Sequence, residues 1–325
     1  MSSTRPLFPD LFPSDMSDAV DRFRREAAEV VDKLLTALQS EPIPPIIYHY
    51  TNDVGLRGIL KTGRIWLTDI FSLNDPSELT HGLRHAVQIL KNEAAAGPPE
   101  SRAFAEYMRT FVEEGGGVQT SAHYFMCSFS SSGDDLGQWR AYADNGRGYA
   151  LGFDAGVLEQ AFYKHGTGPA GRSFPIRYND AELTQILRDI VERVFDLTFL
   201  TRGRSLPEIA VMDYTAKLAT WLMVNFLDAS LYFKHEAYNN EQEYRFLDIY
   251  PTQQKPLAET RVRHCSLIKY TEFDWRTHAP VSLKRIVIGP TADQEKAIEF
   301  AQACLREFDL ETVEITCSKI PYRAG

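Results

Sequence analysis

An α+β fold is what this sequence predicts, with a mixed, mainly antiparallel sheet, flanking helices and a leading N-terminal helix. Two observations carry the prediction. Apolar residues recur at helical spacing in several long stretches, and runs of strand length rich in β-branched and aromatic residues come from widely separated places in the chain. A chain of 325 residues bounds one large domain or a domain with a substantial appendage.

The elements follow in order. Val20, Phe23, Ala27, Val30, Val31, Leu34, Leu35 and Leu38 form the stripe of an amphipathic helix over 15–40. The prolines of "EPIPP" (41–45) stop it, because proline cannot continue a helix. Residues 1–45 are therefore expected as tail, helix and stiff linker, and 46–325 as a single domain with a helical insertion at about 180–232. "IIYHYT" (46–51) is a strand, and a short helix follows from the N-cap Asn52 to Gly63 at its C-terminal stop. "RIWLT" is the next strand. In "NDPSEL" Asp75 can cap, Pro76 takes the first helical position and Glu78 the third, so a helix is predicted from there to about Ala95. A second helix over Ser101–Glu113 follows the break "AAAGPPE". Strands at 122–129 and 148–153 bracket the short segment "DLGQWRAYADNG", and "SFPIRY" (173–178) is another strand. Residues 180–232 carry two helices, interrupted near "RGRSLPE". Strands return at 242–250 and 260–269, and the end is a strand, a helix and a strand.

Composition narrows the function classes. Hydrophobic residues make up 44% and charged residues 24%, and the net charge is −9 with no run of Lys and Arg. That balance argues against non-specific binding to nucleic acid or anionic membrane. No apolar segment approaches about 18 residues, and "MSSTRPLFPDLFPSD" has neither a basic n-region nor an apolar h-region. A cytoplasmic protein without a membrane partner is expected. Cys127, Cys265, Cys304 and Cys317 form no C-x-x-C pair, so buried thiols are expected rather than a disulfide framework or a zinc knuckle.

Several constellations have both a chemical and a plain reading. In "NEQEYRF" (240–246) strand alternation puts Glu241, Glu243 and Arg245 on one face. Such a set is either an exposed ladder neutralised by Arg245 or a pair of working carboxylates. His49 and Thr51 share a strand face with Tyr50 on the other, so His49 is either a satisfied strand histidine or a ligand contact. Ser128 and Ser130 face away from Cys127 and Phe129, and hydroxyls so placed can line a groove. Trp139, Tyr142 and Tyr149 beside a glycine-rich turn either belong to the core or stack a planar ring. Glu78, His81 and His85 fall on one helical face without a second ligand segment, which leaves no metal site to expect. "HGTGPAG" (165–171) contains G-x-G-x-x-G but follows a helical stretch, so it is a loop. "RVRH" (261–264) puts Arg261 and Arg263 on one face, a strip that either holds a phosphate or pairs with acidic surface.

"NDPSE", "CSFS" followed by "WRAYA", "GYALGF", Lys234 ahead of "EQEYR", and "IVIGP" occur in an order that resembles the bacterial domain of unknown function 2971, over about 46–317. "YHYTNDVGLRGILKTGRI" is in turn similar to the first strand and helix of the ADP-ribosyltransferase superfamily, with an H-x-T opening, and the late Glu-x-Glu matches that superfamily's catalytic strand. This distant resemblance implies a split sheet of that type, NAD as a substrate, and ADP-ribosyl transfer to an unknown acceptor or NAD hydrolysis, in bacterial defence or a toxin system. It implies His49 on a ribose hydroxyl with Thr51 beside it, and Tyr50 where many relatives have glycine against the nicotinamide amide. Tyr142 or Tyr149 would stack the nicotinamide, and Ser128 would support the catalytic strand. Glu243 would be the catalytic carboxylate and Glu241 the group that orients the nucleophile, with Arg245 and Lys234 as phosphate candidates. The other reading is a non-enzymatic nucleotide-sensing or interaction domain of the same fold, with residues 15–40 available for a homo-oligomer or for docking on the same chain.

Overall fold

The structure, a computed structural model, describes residues 10–72, 77–113, 122–165, 171–251, 254, 256–263 and 265–322. Its helices are α1 (Ser14–Gln39), α2 (Asp53–Thr62), α3 (Ser77–Ala95), α4 (Pro99–Glu113), α5 (Leu136–Tyr142), α6 (Ala155–His165), α7 (Asp180–Thr198), α8 (Glu208–Ser230), α9 (Trp275–His278) and α10 (Gln294–Glu307). Its strands are β1 (Ile46–Thr51), β2 (Arg64–Asp69), β3 (Ala122–Ser130), β4 (Tyr149–Asp154), β5 (Arg172–Pro175), β6 (Glu243–Pro251), β7 (Glu259–Arg263), β8 (Ser266–Asp274), β9 (Leu283–Ile288) and β10 (Glu314–Cys317). The α+β class and the mainly antiparallel sheet are as expected. No helix among the described residues is long and apolar enough to cross a membrane.

The described residues group into two compact units, one within 1–37, 77–121 and 179–234, the other within 38–76, 122–178 and 235–325. The first is helical, with α3 packed against α4, α7 and α8. Nearly all of α1, expected as a leading helix ahead of one domain, groups with this unit. Phe12 meets Tyr214 edge-on at 5.1 Å, Arg24 lies over Trp221, and Arg204 pairs with Asp15 at 2.7 Å. Its apolar stripe is buried at Met16, Phe23, Ala27 and Val31. Docking on the same chain thus accounts for the stripe that was also open to oligomerisation.

The second unit is one open sheet in the order β10-β9-β4-β1-β3-β2-β8-β7, with β6 paired to β3 and β5 to β6. Only β9 and β10 run parallel among its ladders. Two local signals fix the front of this unit. The Asn52 side chain accepts from the Gly55 amide, and Gly63 closes α2 at φ 68°, where a side chain would be strained. A Cβ on Gly55 would stand 1.9 Å from Thr51 Oγ1, so glycine there lets the helix turn tightly off the strand. α2, α6, α9 and α10 contribute to the core on one sheet face around Leu56, Leu60, Phe153, Phe162, Trp275 and Leu305.

Two strand expectations change. The run 260–269 is not one strand but the hairpin β7–β8, because Cys265 takes a left-handed conformation at φ 62° between them. The strand expected from Gln242 begins at Glu243. Gln242 is itself left-handed at φ 44°, and Glu236–Glu241 is a 3-10 turn.

Candidate functional site

Three ladders around β3 create an opening in the sheet. One edge of β3 is paired along its full length with β6, from Ala122–Pro251 to Ser130–Glu243. On the other edge β1 meets it only at Tyr48–Ser130, and β2 only at Thr68–Met126 and Asp69–Phe125. β1 and β2 therefore diverge on either side of Cys127, Ser128 and Phe129. Backbone groups exposed by such a divergence need other partners.

His49 supplies one. Its Nδ1–H donates to the Ser128 carbonyl at 3.2 Å, since a carbonyl can only accept, and this fixes Nε2 as the acceptor nitrogen of the neutral ring. Burial lowers the His49 pKa, the Ser128 bond opposes that, and the charge on Arg261 adds to the lowering. Cys127 Sγ lies 3.8 Å from the same nitrogen. Burial, reinforced by the Glu243 charge, pushes its thiol up to about 12, so it is a protonated core residue and not a nucleophile. Of the four cysteines expected to be buried, Cys127 and Cys304 are. Cys317 is partly buried and Cys265 is exposed.

Ser128 also carries the other half of the cluster. Register places it opposite Arg245, with Ser130 opposite Glu243, so these polar groups share one sheet face, as strand alternation predicts. Ser128 Oγ donates to Glu243 Oε1 at 2.6 Å. Arg245 grips the same carboxylate twice, Nε to Oε1 at 2.6 Å and Nη2 to Oε2 at 3.0 Å. The Glu243 amide donates to the Tyr178 hydroxyl at 2.9 Å. Glu243 is 6% exposed and Arg245 3%, so an exposed ladder is ruled out. The burial follows from position, because β6 is flanked by β3 and β5 and a charge there must be paired. Glu241 is not on this face. It sits partly buried in the 3-10 turn, where its carbonyl accepts from Ser130 Oγ at 2.7 Å, because left-handed Gln242 breaks the alternation.

The aromatic residues divide. Tyr50 is buried and meets Trp139 edge-on at 4.8 Å, and its hydroxyl donates to the Ser132 carbonyl and accepts from the Asp135 amide. Trp139 is fully buried with Nε1 on Asp134. Tyr149, opposite Thr51, packs in the core against Phe300, and burial pushes its hydroxyl up to about 12. Tyr149 and Trp139 are thus not free to stack a ligand, since both rings are enclosed by their own chain. Tyr142, at the end of α5, is 42% exposed. Lys234 is buried at the end of the helical unit. His85 bonds Thr184 at 2.8 Å, and the side chains of Glu78 and His81 lie outside the described residues, as do 166–170 of the glycine-rich loop, Asp75 and Pro76 of the helix start, and His264. Tyr178 was missed from sequence, because its hydroxyl meets Glu243 only through tertiary packing and no local pattern marks it.

The fold and site define an α+β protein with a sheet opened between two strands and a buried Glu243–Arg245 pair bonded to the exposed Ser128 beside the opening. Residues 138–246 match the model of a family described as protein of unknown function, DUF2971. The family resemblance read from the ordered motifs is borne out over these residues, which run from α5 into β6 and include Glu241, Glu243 and Arg245. No curated protein and no solved structure matches the chain.

Proposed function

We propose that the sheet unit binds NAD at the opening between β1 and β2 and cleaves its nicotinamide–ribose bond, passing ADP-ribose to an acceptor or to water. The observation that carries the reading is Ser128, whose carbonyl holds His49 and whose hydroxyl holds Glu243. Two groups from two remote segments are thereby fixed to one residue of a third, the kind of mutual support that keeps a reactive geometry in place. Loss of nicotinamide leaves positive charge on the ribose, and a fixed carboxylate accepting the 2′-hydroxyl stabilises that charge as it develops. His49 Nε2, left as an acceptor by the Nδ1 bond, suits a second ribose hydroxyl. Glu241, on the turn before the strand and off its face, is in this reading the group that orients the incoming nucleophile. The ADP-ribosyltransferase-like architecture belongs to this proposal.

A second reading is favoured by the burial of Glu243 and Arg245 and by the filling of the Tyr50–Trp139 region: a nucleotide-sensing domain that binds without turnover. Nicotinamide release from NAD by the purified protein separates the two. The first reading expects release that falls about 10²–10³-fold in Glu243→Gln and also falls in Ser128→Ala, which removes one hydroxyl and spares the ion pair. No release by the wild type, even with cell lysate as an acceptor source, leaves the sensing domain.

A further inference from the structure

Among the described residues, Arg261 on β7 has no carboxylate partner. Its Nη2 donates to Thr68 Oγ1 at 3.1 Å and its guanidinium lies over the Trp66 ring, 5.2 Å from the centroid. Its Nε is buried without a hydrogen-bond partner, and it pairs with no carboxylate among the described residues. Two acids on the same pair of strands bond to other groups. Glu259 accepts from the Tyr270 hydroxyl at 2.9 Å, and Glu272 accepts from Trp66 Nε1 at 3.0 Å and pairs with Arg64 at 2.5 Å. Arg263 adds repulsion, while its own Nη2 donates to the Ser72 carbonyl. Burial and that repulsion together lower the Arg261 pKa, as expected of a half-buried guanidinium beside another cation.

The register connects this arginine to the candidate site. Arg261 is opposite Ile268, Tyr270 opposite Thr68, and Thr68 opposite Met126, two residues from Ser128. Directly opposed residues, and every second residue along a strand, share a face. Arg261 therefore projects on the same face as Ser128 and Glu243 and reaches over β8 to β2. From β2 to β6 is two strand spacings, about 10 Å. Both His49 and Cys127 feel the Arg261 charge, and Cys127 feels that of Glu243 as well.

We propose that Arg261, seated on Trp66 and tied to Thr68, is the anion-binding element of this site and takes the diphosphate of a nucleotide whose ribose lies toward Glu243. The identity of that nucleotide rests on the NAD reading, whereas the anion subsite rests on Arg261 itself. A diphosphate supplies acceptor oxygens for the orphaned Nε and a charge that offsets the half-buried guanidinium. Two strand spacings suit a ligand that carries ribose at one end and phosphate at the other. An arginine placed in this way, rather than a lysine, meets a planar pair of phosphate oxygens with fixed donors while its other face rests on an indole.

The test is ADP binding to the full chain, read by tryptophan fluorescence, because Trp66 is 40% exposed and lies under the guanidinium. The wild type is expected to bind ADP with quenching that Trp66→Phe removes, and ADP is expected to raise its melting temperature. Arg261→Gln should weaken ADP binding about tenfold or more, with Arg261→Lys between the two. Its own melting temperature should not fall, since the variant removes a half-buried cation that no carboxylate among the described residues pairs. Equal ADP affinity in wild type and Arg261→Gln overturns the proposal, and so does a wild type that binds no ADP. The NAD reading fails separately. Arg261-dependent ADP binding without nicotinamide release upholds the subsite and removes the cleavage, while release with an unchanged KM for NAD in Arg261→Gln does the reverse.

Discussion

Replacing Glu243 by Gln keeps the size of the side chain and removes its charge, which isolates the ion pair at the centre of the site. Arg245 is 3% exposed and makes two bonds to the carboxylate, at 2.6 and 3.0 Å, while Ser128 adds a third at 2.6 Å. An amide at 243 keeps one acceptor oxygen and turns the other into an NH₂ facing a guanidinium, so one bond becomes a donor–donor contact. Removing one partner of a buried ion pair costs about 3–5 kcal/mol, because the charge left behind is uncompensated. At about 2–4 °C per kcal/mol for a unit of this size, the melting temperature should fall by about 6–20 °C. Glu241→Gln is the control, on the partly buried turn two residues away, and should cost under about 1 kcal/mol. Urea unfolding followed by circular dichroism gives both values. A loss below about 1 kcal/mol for Glu243→Gln, or equal losses for the two variants, refutes the reasoning, since either result means that solvent already relieves Arg245.

Other predictions address the groups around the opening. Tyr50→Phe deletes the hydroxyl that joins the Ser132 carbonyl to the Asp135 amide and should cost about 1–3 kcal/mol in urea unfolding, with the ring contact to Trp139 kept. His49 has a folded pKa lowered from its ordinary 6.5, so the unfolded chain takes up its proton first on acidification. Its contribution is present above about pH 6.5 and is lost as pH falls through the lower folded value. His49→Gln should therefore show a flatter decline of stability below pH 6.5 than the wild type, measured as melting temperature against pH. A steeper decline in the variant contradicts a neutral His49.

What could be read from sequence was what short-range chemistry dictates. The limits of α2 follow from Asn52 and Gly63, and the pairing of faces on β3 from simple alternation, so both were visible. The start of β6 was not, because a left-handed glutamine is a departure that no propensity signals, and it moved Glu241 off the strand face. The two units were hidden for a different reason. α1, α3, α4, α7 and α8 come from three segments separated by strands of the sheet, and only packing assembles them. Within the site, strand alternation raised His49 and Glu243 as candidates, and only the resemblance gave them roles. The role of Ser128 as the residue that holds both depends on β1 and β2 diverging around it, a property of three strands at once. Arg261 was noticed as part of a basic strip, yet the unbonded Nε that sets it apart depends on how β7 packs beside Thr68 and Trp66.

The most direct test of the central claim is a crystal structure of the wild-type protein with an NAD analogue whose nicotinamide–ribose linkage cannot be cleaved. The account predicts the analogue in the opening between β1 and β2, with one ribose hydroxyl on the Glu243 carboxylate and another within hydrogen-bond distance of His49 Nε2. An analogue bound elsewhere, or an opening closed over the undisturbed Glu243–Arg245 pair, would contradict it.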